Sequence, residues 1–274
     1  KEGEFNVEAI EHYRNVLLLL KKLNIEPFLT VWHFTNPIWI RDIGGFENTK
    51  TIHFFLRFLR RVVGEYKDLV KFWMPFNEPS TYIGMSYIQG AWPPNVKSSL
   101  RANKVFNHFS FVILESNKNK HEINPASEVA MGNYLVHLEP IKKRDTIFVY
   151  LLDYLRNRRF LDKYCDAQDF IGVQYYHHEL LTLKFGGAVA HLFDRKNRNE
   201  WVTDMNWEIY PSGLFHILEK VSKRYKKPIY VTENGLADAR DKDRAQFIYR
   251  HLLSVLRAIE NGADVRGYFY WSLL

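Results

Sequence analysis

The 274 residues, 46% of them hydrophobic and 16% aromatic, are enough for one α/β barrel or two smaller domains with a large core. The formal net charge of +7 arises from basic side chains interleaved with acidic ones, as in the run 239–244, so no basic stripe indicates nucleic acid as a partner. No apolar run is long enough to cross a bilayer, and we expect no membrane partner either.

Hydrophobic periodicity predicts helices that alternate with buried strands along the whole chain. A helix over residues 7–24 precedes a strand over 28–33, and Asn48 is placed to cap a helix that runs to about Tyr66. The remaining elements are predicted in the order strand 70–76, helix 102–119, strand 128–134, helix 145–159, strand 170–176, helix 212–225, strand 228–232, helix 241–261 and strand 265–273. Six strands thus alternate with helices long enough to connect parallel neighbours.

Strands that read as continuous apolar runs between helices indicate a parallel sheet covered on both faces, in a barrel or a doubly wound sheet. No strand is followed by a Gly-rich dinucleotide or phosphate fingerprint. Polar or aromatic residues stand instead at the ends of five different strands, namely His33, Asn77-Glu78, Tyr176, Glu233 and Trp271. Because barrels carry their chemistry at the carboxyl ends of the strands, we predict an α/β fold of the (β/α)8 TIM-barrel type.

We predict a single catalytic domain over residues 1–274, because no linker or change of composition marks a second one. The stretch from Phe185 to Glu200, which begins with Phe185-Gly186-Gly187-Ala188, is predicted to be a long surface excursion. The single cysteine, Cys165, excludes an internal disulfide framework and favours a reducing, cytoplasmic location.

Two glutamates each follow an apolar strand directly, with an asparagine beside them. Glu78 lies in Phe76-Asn77-Glu78-Pro79, and Glu233 lies in Val231-Thr232-Glu233-Asn234-Gly235. Glycoside cleavage needs one protonated and one ionised carboxyl group, and a separation of about 5 Å selects the retaining route. Taken singly, Glu78 also fits the start of a helix and Glu233 a turn. Their joint placement at strand ends favours catalysis.

These motifs resemble those of glycoside hydrolase family 1, the family of β-glucosidases and β-galactosidases, and the resemblance runs over essentially the whole chain. Its most specific segments are Asn77-Glu78-Pro79, Asp169–Tyr176, Thr203–Pro211, Thr232-Glu233-Asn234-Gly235 and Gly267–Leu274. The resemblance implies a retaining β-glycosidase that hydrolyses small β-glucosides or β-galactosides by double displacement, with no cofactor. The alternative is a sugar-binding remnant of the same fold whose catalysis is impaired.

The resemblance also implies a role for each site residue, with Glu78 as acid/base and Glu233 as nucleophile. The implied substrate-binding residues are His33 for the 3-hydroxyl, Asn77 for the 2-hydroxyl, Tyr176 as partner of the nucleophile, Trp271 as platform beneath the sugar, and Gln174 where the family usually has Asn. A tyrosine hydroxyl favours the ionised carboxylate, and an uncharged neighbourhood around Glu78 would raise its pKa.

Purely structural roles stay open for His33, Tyr176 and Trp271, while Trp32, Trp39 and Trp92 are candidates only for the pocket wall. The pair His177-His178 suggests a metal, but no helix-spaced His/Glu set or cysteine pair accompanies it. We therefore expect no metal.

The resemblance further implies an incomplete barrel, with about six of the eight strands in this chain. The family's first two strands would precede Lys1, and its last glycone-binding segment would follow Leu274. We expect an additional segment or an oligomer to complete the barrel. The motifs present do not discriminate between glucose, galactose, fucose and 6-phospho-sugars.

Overall fold

A computed structural model describes residues 2–183 and 193–272 of the chain. They form two compact units, the first within residues 1–131 and 166–169 and the second within residues 132–165 and 170–274. Each unit combines helices with parallel strands. Within the described ranges, no helix is both long and apolar enough to cross a lipid bilayer.

The first unit contains three strands in the order β1-β2-β3, all parallel. Its elements are α1 (Val7–Lys22), β1 (Phe28–Trp32), α2 (Ile38–Asp42), α3 (Thr49–Tyr66), β2 (Phe72–Phe76), α4 (Pro79–Ile83), α5 (Ser99–Ile123) and β3 (Glu128–Val129). A 3-10 turn at Gly45–Glu47 precedes α3, and a π turn at Gly84–Ile88 continues α4.

Side-chain caps explain where α1 and α3 begin. The side chain of Asn6 accepts a hydrogen bond from the Ala9 N–H at 3.0 Å, and Asn48 accepts one from the Lys50 N–H at 3.0 Å. Such caps satisfy N–H groups that have no partner inside the first helical turn. The predicted cap at Asn48 is therefore confirmed.

The first unit also holds an apolar cavity of about 1010 Å³ between α1, β1 and α3. Residues such as Leu17, Leu20, Phe28 and Phe55 line it. Among the strands that the structure describes, β1 pairs with β2 alone. Its other edge therefore has no described strand as neighbour.

The second unit contains two sheets. Its elements are β4 (Gly132–Tyr134), β5 (His137–Pro140), α6 (Thr146–Asp153), α7 (Arg159–Tyr164), β6 (Ile171–Gln174), β7 (His178–Leu183), β8 (Phe193–Lys196), α8 (Pro211–Tyr225), β9 (Ile229–Asn234), α9 (Arg244–Glu260) and β10 (Val265–Tyr270). The main sheet has the order β10-β9-β6-β4 and is parallel throughout. In the second sheet, β5 and β7 are parallel and β7 and β8 are antiparallel.

The core of the second unit forms where α8 and α9 cover the main sheet. Ile171 and Val173 of β6, Val231 of β9 and Leu214 and Leu218 of α8 are fully buried in one cluster. Strands that are buried on both faces read as continuous apolar runs rather than as alternating apolar and polar residues. The sequences of β6 and β9 have this continuous pattern.

The six predicted strands and the longer helices between them are confirmed, apart from their exact ends and the following differences. The strand over 128–134 is two short strands, β3 and β4, and the helix over 145–159 is interrupted by a π turn at Tyr154–Arg158. The sheet β5-β7-β8 was not predicted, and residues 193–196 of the expected excursion form a strand. Phe185–Ala188 lie outside the described residues. The single domain over 1–274 stays a prediction.

Candidate active site

In the first unit, Asn77 and Glu78 directly follow β2, beside His33 at the end of β1. The Asn77 N–H donates to the Trp32 carbonyl at 2.9 Å, which ties the two strand ends together. The Asn77 Nδ2 lies 3.2 Å from the His33 Nε2. Burial lowers the pKa of His33 below its ordinary value. An uncharged ring can accept from the Asn77 amide, so both side chains are held in place.

The backbone of Glu78 adopts the left-handed region, with φ at 41° and ψ at 60°. A non-glycine residue in that region carries strain that the surrounding structure must offset. Glu78 precedes Pro79 at the first turn of α4, and its carbonyl accepts from the Tyr82 N–H at 3.1 Å. The helix-start interpretation of Glu78 is therefore correct, and its side chain is buried as well.

Aromatic rings surround these strand ends in the first unit. Phe34 also has a positive φ, of 67°, and its ring centroid lies 4.9 Å from those of both His33 and Trp92. Trp32 is buried and donates from Nε1 to Asn36 at 3.0 Å. Trp92 therefore contacts Phe34 beside His33, whereas the buried Trp32 lines the apolar cavity of the first unit together with Trp39.

In the second unit, Glu233 lies at the penultimate position of β9, with Tyr176 and Gln174 beside it. The Tyr176 hydroxyl donates to Oε2 of Glu233 at 2.5 Å, and Gln174 contributes a second side-chain hydrogen bond. Burial raises the pKa of Glu233, and these two hydrogen bonds offset part of the rise. Tyr176 thus acts in the direction predicted, although burial outweighs it.

Asn234 anchors the end of β9 to both neighbouring strands. It is fully buried, its Nδ2 donates to the Tyr175 carbonyl at 2.6 Å, and its Oδ1 accepts from the Tyr268 hydroxyl at 2.7 Å. The sequence indicated only a turn at Asn234-Gly235. Turn propensity is local, whereas these two bonds come from residues 59 and 34 positions away.

Trp271 follows β10, and its backbone is held against the end of β9. Its N–H donates to the Asn234 carbonyl at 2.9 Å, while 47% of its surface is exposed. A Cβ on Gly235 would lie 1.7 Å from the Trp271 carbonyl oxygen, so only glycine permits this approach. An exposed indole on a fixed backbone suits the platform role that the family implies.

A chain of hydrogen bonds adjoins Tyr176. His177 Nδ1 lies 3.0 Å from the Tyr134 hydroxyl and its Nε2 lies 3.1 Å from Glu179, which is paired to Arg156 at 2.7 Å. The Trp207 ring stacks on His177 at 4.6 Å. His177 is thus engaged within the protein. Trp207 belongs to the segment Thr203–Pro211, but nothing in its spacing indicated this contact.

The alternating α/β architecture and the glutamates at its strand ends are those of the glycoside hydrolase class. The family model described as Glycosyl hydrolase family 1 matches residues 1–147 and 156–274, and the chain belongs to this family. A solved β-glycosidase from Pyrococcus horikoshii is 33% identical, with a TM-score of 0.88 over 99% of this chain and 67% of that one. This similarity confirms the predicted TIM-barrel class, and the residues that the structure describes contain part of such a barrel.

Three curated relatives are longer than the region that this chain matches in them. Beta-glucosidase-like SFR2, chloroplastic, from Oryza sativa is 32% identical over 99% of this chain and 43% of its own length. A galactolipid galactosyltransferase SFR2 from Arabidopsis thaliana is 30% identical over 98% and 44%. A β-galactosidase from Sulfolobus acidocaldarius is 29% identical over 98% and 62%. The chain therefore spans about two fifths to three fifths of these relatives.

Proposed function

We propose that the protein is a retaining β-glycosidase that hydrolyses β-glucosides or β-galactosides through a covalent intermediate on Glu233. The Glu233 carboxylate attacks the anomeric carbon while the carbon–oxygen bond to the leaving group breaks. Glu78, as a carboxylic acid, gives its proton to the leaving oxygen. Glu78 then takes a proton from water, whose oxygen displaces Glu233 from the anomeric carbon. Family membership supports this assignment of the two glutamates.

The observation that carries the proposal is the environment of Glu233. A carboxylate that attacks carbon must be ionised and held still, and hydrogen bonds from Tyr176 and Gln174 favour both conditions. Burial keeps water from solvating the charge, so the carboxylate is more reactive than an exposed one.

The residues proposed to contact the sugar are Asn77, His33 and Trp271. Asn77 and His33 present an amide and an imidazole as a bonded pair at the ends of β2 and β1, which suits adjacent sugar hydroxyls. Trp271 presents an exposed indole on which the apolar face of a pyranose stacks.

The test is turnover of dinitrophenyl β-glucoside and β-galactoside by the protein and by Glu233→Ala and Glu78→Ala. We expect each variant to lose about a thousandfold or more in kcat. Azide should restore Glu233→Ala with an α-glycosyl azide as product, and Glu78→Ala with a β-glycosyl azide, because each vacated position lies on a different face of the sugar. Glu219→Ala, which removes a carboxylate on α8 that is paired with Lys223, serves as control.

Two other outcomes define the alternatives. Sugar binding without turnover by the folded protein would establish the impaired remnant instead. The second candidate function is transfer to another sugar, because the Arabidopsis relative is named a galactosyltransferase. A glycosyl-enzyme accepts a sugar hydroxyl as readily in principle as water, and product analysis with a galactoside as both donor and acceptor distinguishes transfer from hydrolysis.

We also propose that a further strand-forming segment of polypeptide covers the cavity between α1, β1 and α3. Three observations support it: the cavity is lined by apolar side chains, β1 has β2 as its one described neighbour, and the relatives are longer than the region matched. An open sheet edge beside apolar surface is a state that proteins normally cover. A cytoplasmic location, based on the single cysteine, stays part of this proposal and is tested by fractionation of the source cells.

A further inference from the structure

We propose that His137, Glu139 and His178 form a binding site for a divalent transition-metal ion such as zinc. The site lies wholly in the second unit, on the sheet β5-β7-β8. One ligand atom from each residue lies within 4.8 Å of the others, close enough to share one ion. None of these residues is used in the proposed glycosidase chemistry.

Strand geometry brings the three side chains together. His137 and Glu139 are two residues apart on β5 and therefore point to the same face of the sheet. His178 is the first residue of β7 and lies directly across from His137 in the parallel register. The three residues thus come together through the pairing of β5 with β7. No ligand spacing in the sequence could therefore predict the cluster. It departs from our expectation that the chain has no metal site.

His137 has the features of a ligand in need of a partner. It is 5% exposed, and neither of its ring nitrogens has a hydrogen-bond partner among the described residues. Its Nε2 lies 3.8 Å from Glu139 Oε1, beyond hydrogen-bond distance. A buried polar group without a partner is costly, and a bound ion would satisfy one of the two nitrogens.

His178 is oriented by a buried carboxylate. Its Nδ1 lies 2.8 Å from Glu208 Oε2, and the other oxygen of Glu208 accepts from the backbone and side-chain N–H groups of Asn199 at 3.1 and 2.8 Å. A proton on Nδ1, shared with Glu208, leaves the Nε2 lone pair for a metal. Such a carboxylate–histidine pair is the usual support of a metal-binding imidazole.

The third ligand and the open space complete the site. Glu139 Oε2 lies 2.9 Å from His178 Nε2 and also accepts from Arg198 Nη2 at 2.8 Å. Arg198 is half exposed, so its side chain can move to solvent when an ion binds. A cavity of about 240 Å³, lined by His137, Glu139 and His216 among others, leaves room for a water molecule or for a fourth ligand.

The donor set favours zinc and its neighbours over magnesium or calcium. Two imidazole nitrogens and one carboxylate, with one open position, match the composition of three-ligand zinc sites. Magnesium and calcium prefer oxygen ligands alone. Two carboxylates, Glu139 as ligand and Glu208 behind His178, bring negative charge to the site. Lys220 and Lys223 in the cavity lining and Arg198 beside Glu139 oppose it.

The test is calorimetric titration of Zn²⁺ into the chelator-treated, untagged chain, together with X-ray absorption of the one-to-one complex. We expect one tight site, a first shell of nitrogen and oxygen at about 2.0–2.2 Å, and the outer scattering of imidazole rings. His137→Phe and Glu139→Gln should each weaken binding at least tenfold, and Glu208→Gln about tenfold or more through His178. His12→Ala, which removes an exposed histidine on α1, should leave the affinity unchanged.

Two results would overturn the site. The same contacts are satisfied without a metal when both ring nitrogens of His178 bond to Glu139 and Glu208, and in that case the wild-type chain takes up no zinc. Binding that survives His137→Phe and Glu139→Gln but is lost with exposed histidines would place the ion elsewhere. Because the absorption spectrum is measured on the wild-type protein, it tests the ligand set of two imidazoles and one carboxylate even if a variant fails to fold.

Discussion

The Tyr176 hydroxyl is hydrogen-bonded to Glu233 at 2.5 Å, yet the pKa of Glu233 lies above its ordinary value. The reason is that burial acts on the same carboxyl group in the opposite direction and is the larger effect. Burial therefore makes Glu233 harder to ionise, and the hydrogen bond from Tyr176 offsets part of this effect.

Replacing Tyr176 with Phe tests this balance. Without the hydroxyl the pKa of Glu233 should rise further, so the acid limb of the pH profile of kcat/KM moves to higher pH. The loss of a hydrogen bond to a charged group, about 1.5–3 kcal/mol, predicts a kcat about ten- to a hundredfold lower. If the acid limb of the profile stayed at the same pH, Tyr176 would have no effect on the ionisation of Glu233.

The thermal stability of the protein should also depend on the burial of Glu233. The folded-state pKa of Glu233 exceeds the ordinary 4.5, so folding favours the protonated form and the ionised form costs stability at any pH above the folded pKa. Glu233→Gln removes that cost, and we expect its Tm to exceed that of the wild type near neutral pH and to converge with it below about pH 4.5. Each 1 kcal/mol corresponds to about 2–4 °C in a chain of this size.

The control for that measurement is Glu219→Gln on α8. Hydrogen bonds from Lys223 and Asn261 lower the pKa of Glu219, so this change should not raise the Tm. If both variants were stabilised alike, net charge rather than the burial of Glu233 would be responsible.

Gly235→Ala tests the close approach of Trp271. The added methyl would fall 1.7 Å from the Trp271 carbonyl oxygen, a backbone atom that cannot move aside cheaply. We expect a loss of at least about 2 kcal/mol in the free energy of unfolding and a weaker binding of substrate. Gly64→Ala is the matched control, since a Cβ there meets nothing within 4 Å and should stabilise α3 by up to about 1 kcal/mol.

Val16→Glu tests whether further polypeptide covers the cavity of the first unit. Val16 lines the cavity and Leu18 on the same helix does not, although both are about two fifths exposed in this chain. In the full-length gene product we expect Val16→Glu to cost about 2 kcal/mol or more and Leu18→Glu to stay within about 0.5 kcal/mol. Equal effects by denaturant unfolding would mean that the cavity stays open, and a dimer detected by sedimentation would identify a second copy as the cover.

The sequence predicted the strands, the main helices and the positions of Glu78 and Glu233 at strand ends because those features are local. Periodicity marks β6 and β9, and an asparagine cap marks the start of α3. It did not predict the sheet β5-β7-β8, since its strands are short and His137, Glu139 and His178 interrupt the apolar pattern that marks the other strands. The double anchoring of Asn234 was equally hidden, because it depends on which strands become neighbours. Pairing between distant strands is the information that a single sequence carries least visibly.

The anchoring of Asn234 has a chemical consequence over the lifetime of the protein. Asparagine followed by glycine is prone to deamidation, a reaction that requires the side-chain amide to turn toward the next backbone nitrogen. Here both ends of that amide are engaged, one with the Tyr175 carbonyl and the other with the Tyr268 hydroxyl. Conversion of Asn234 to a carboxylate is thus confined to molecules whose β9 has opened, and the degree of deamidation in an aged sample becomes a record of how often that strand has come loose.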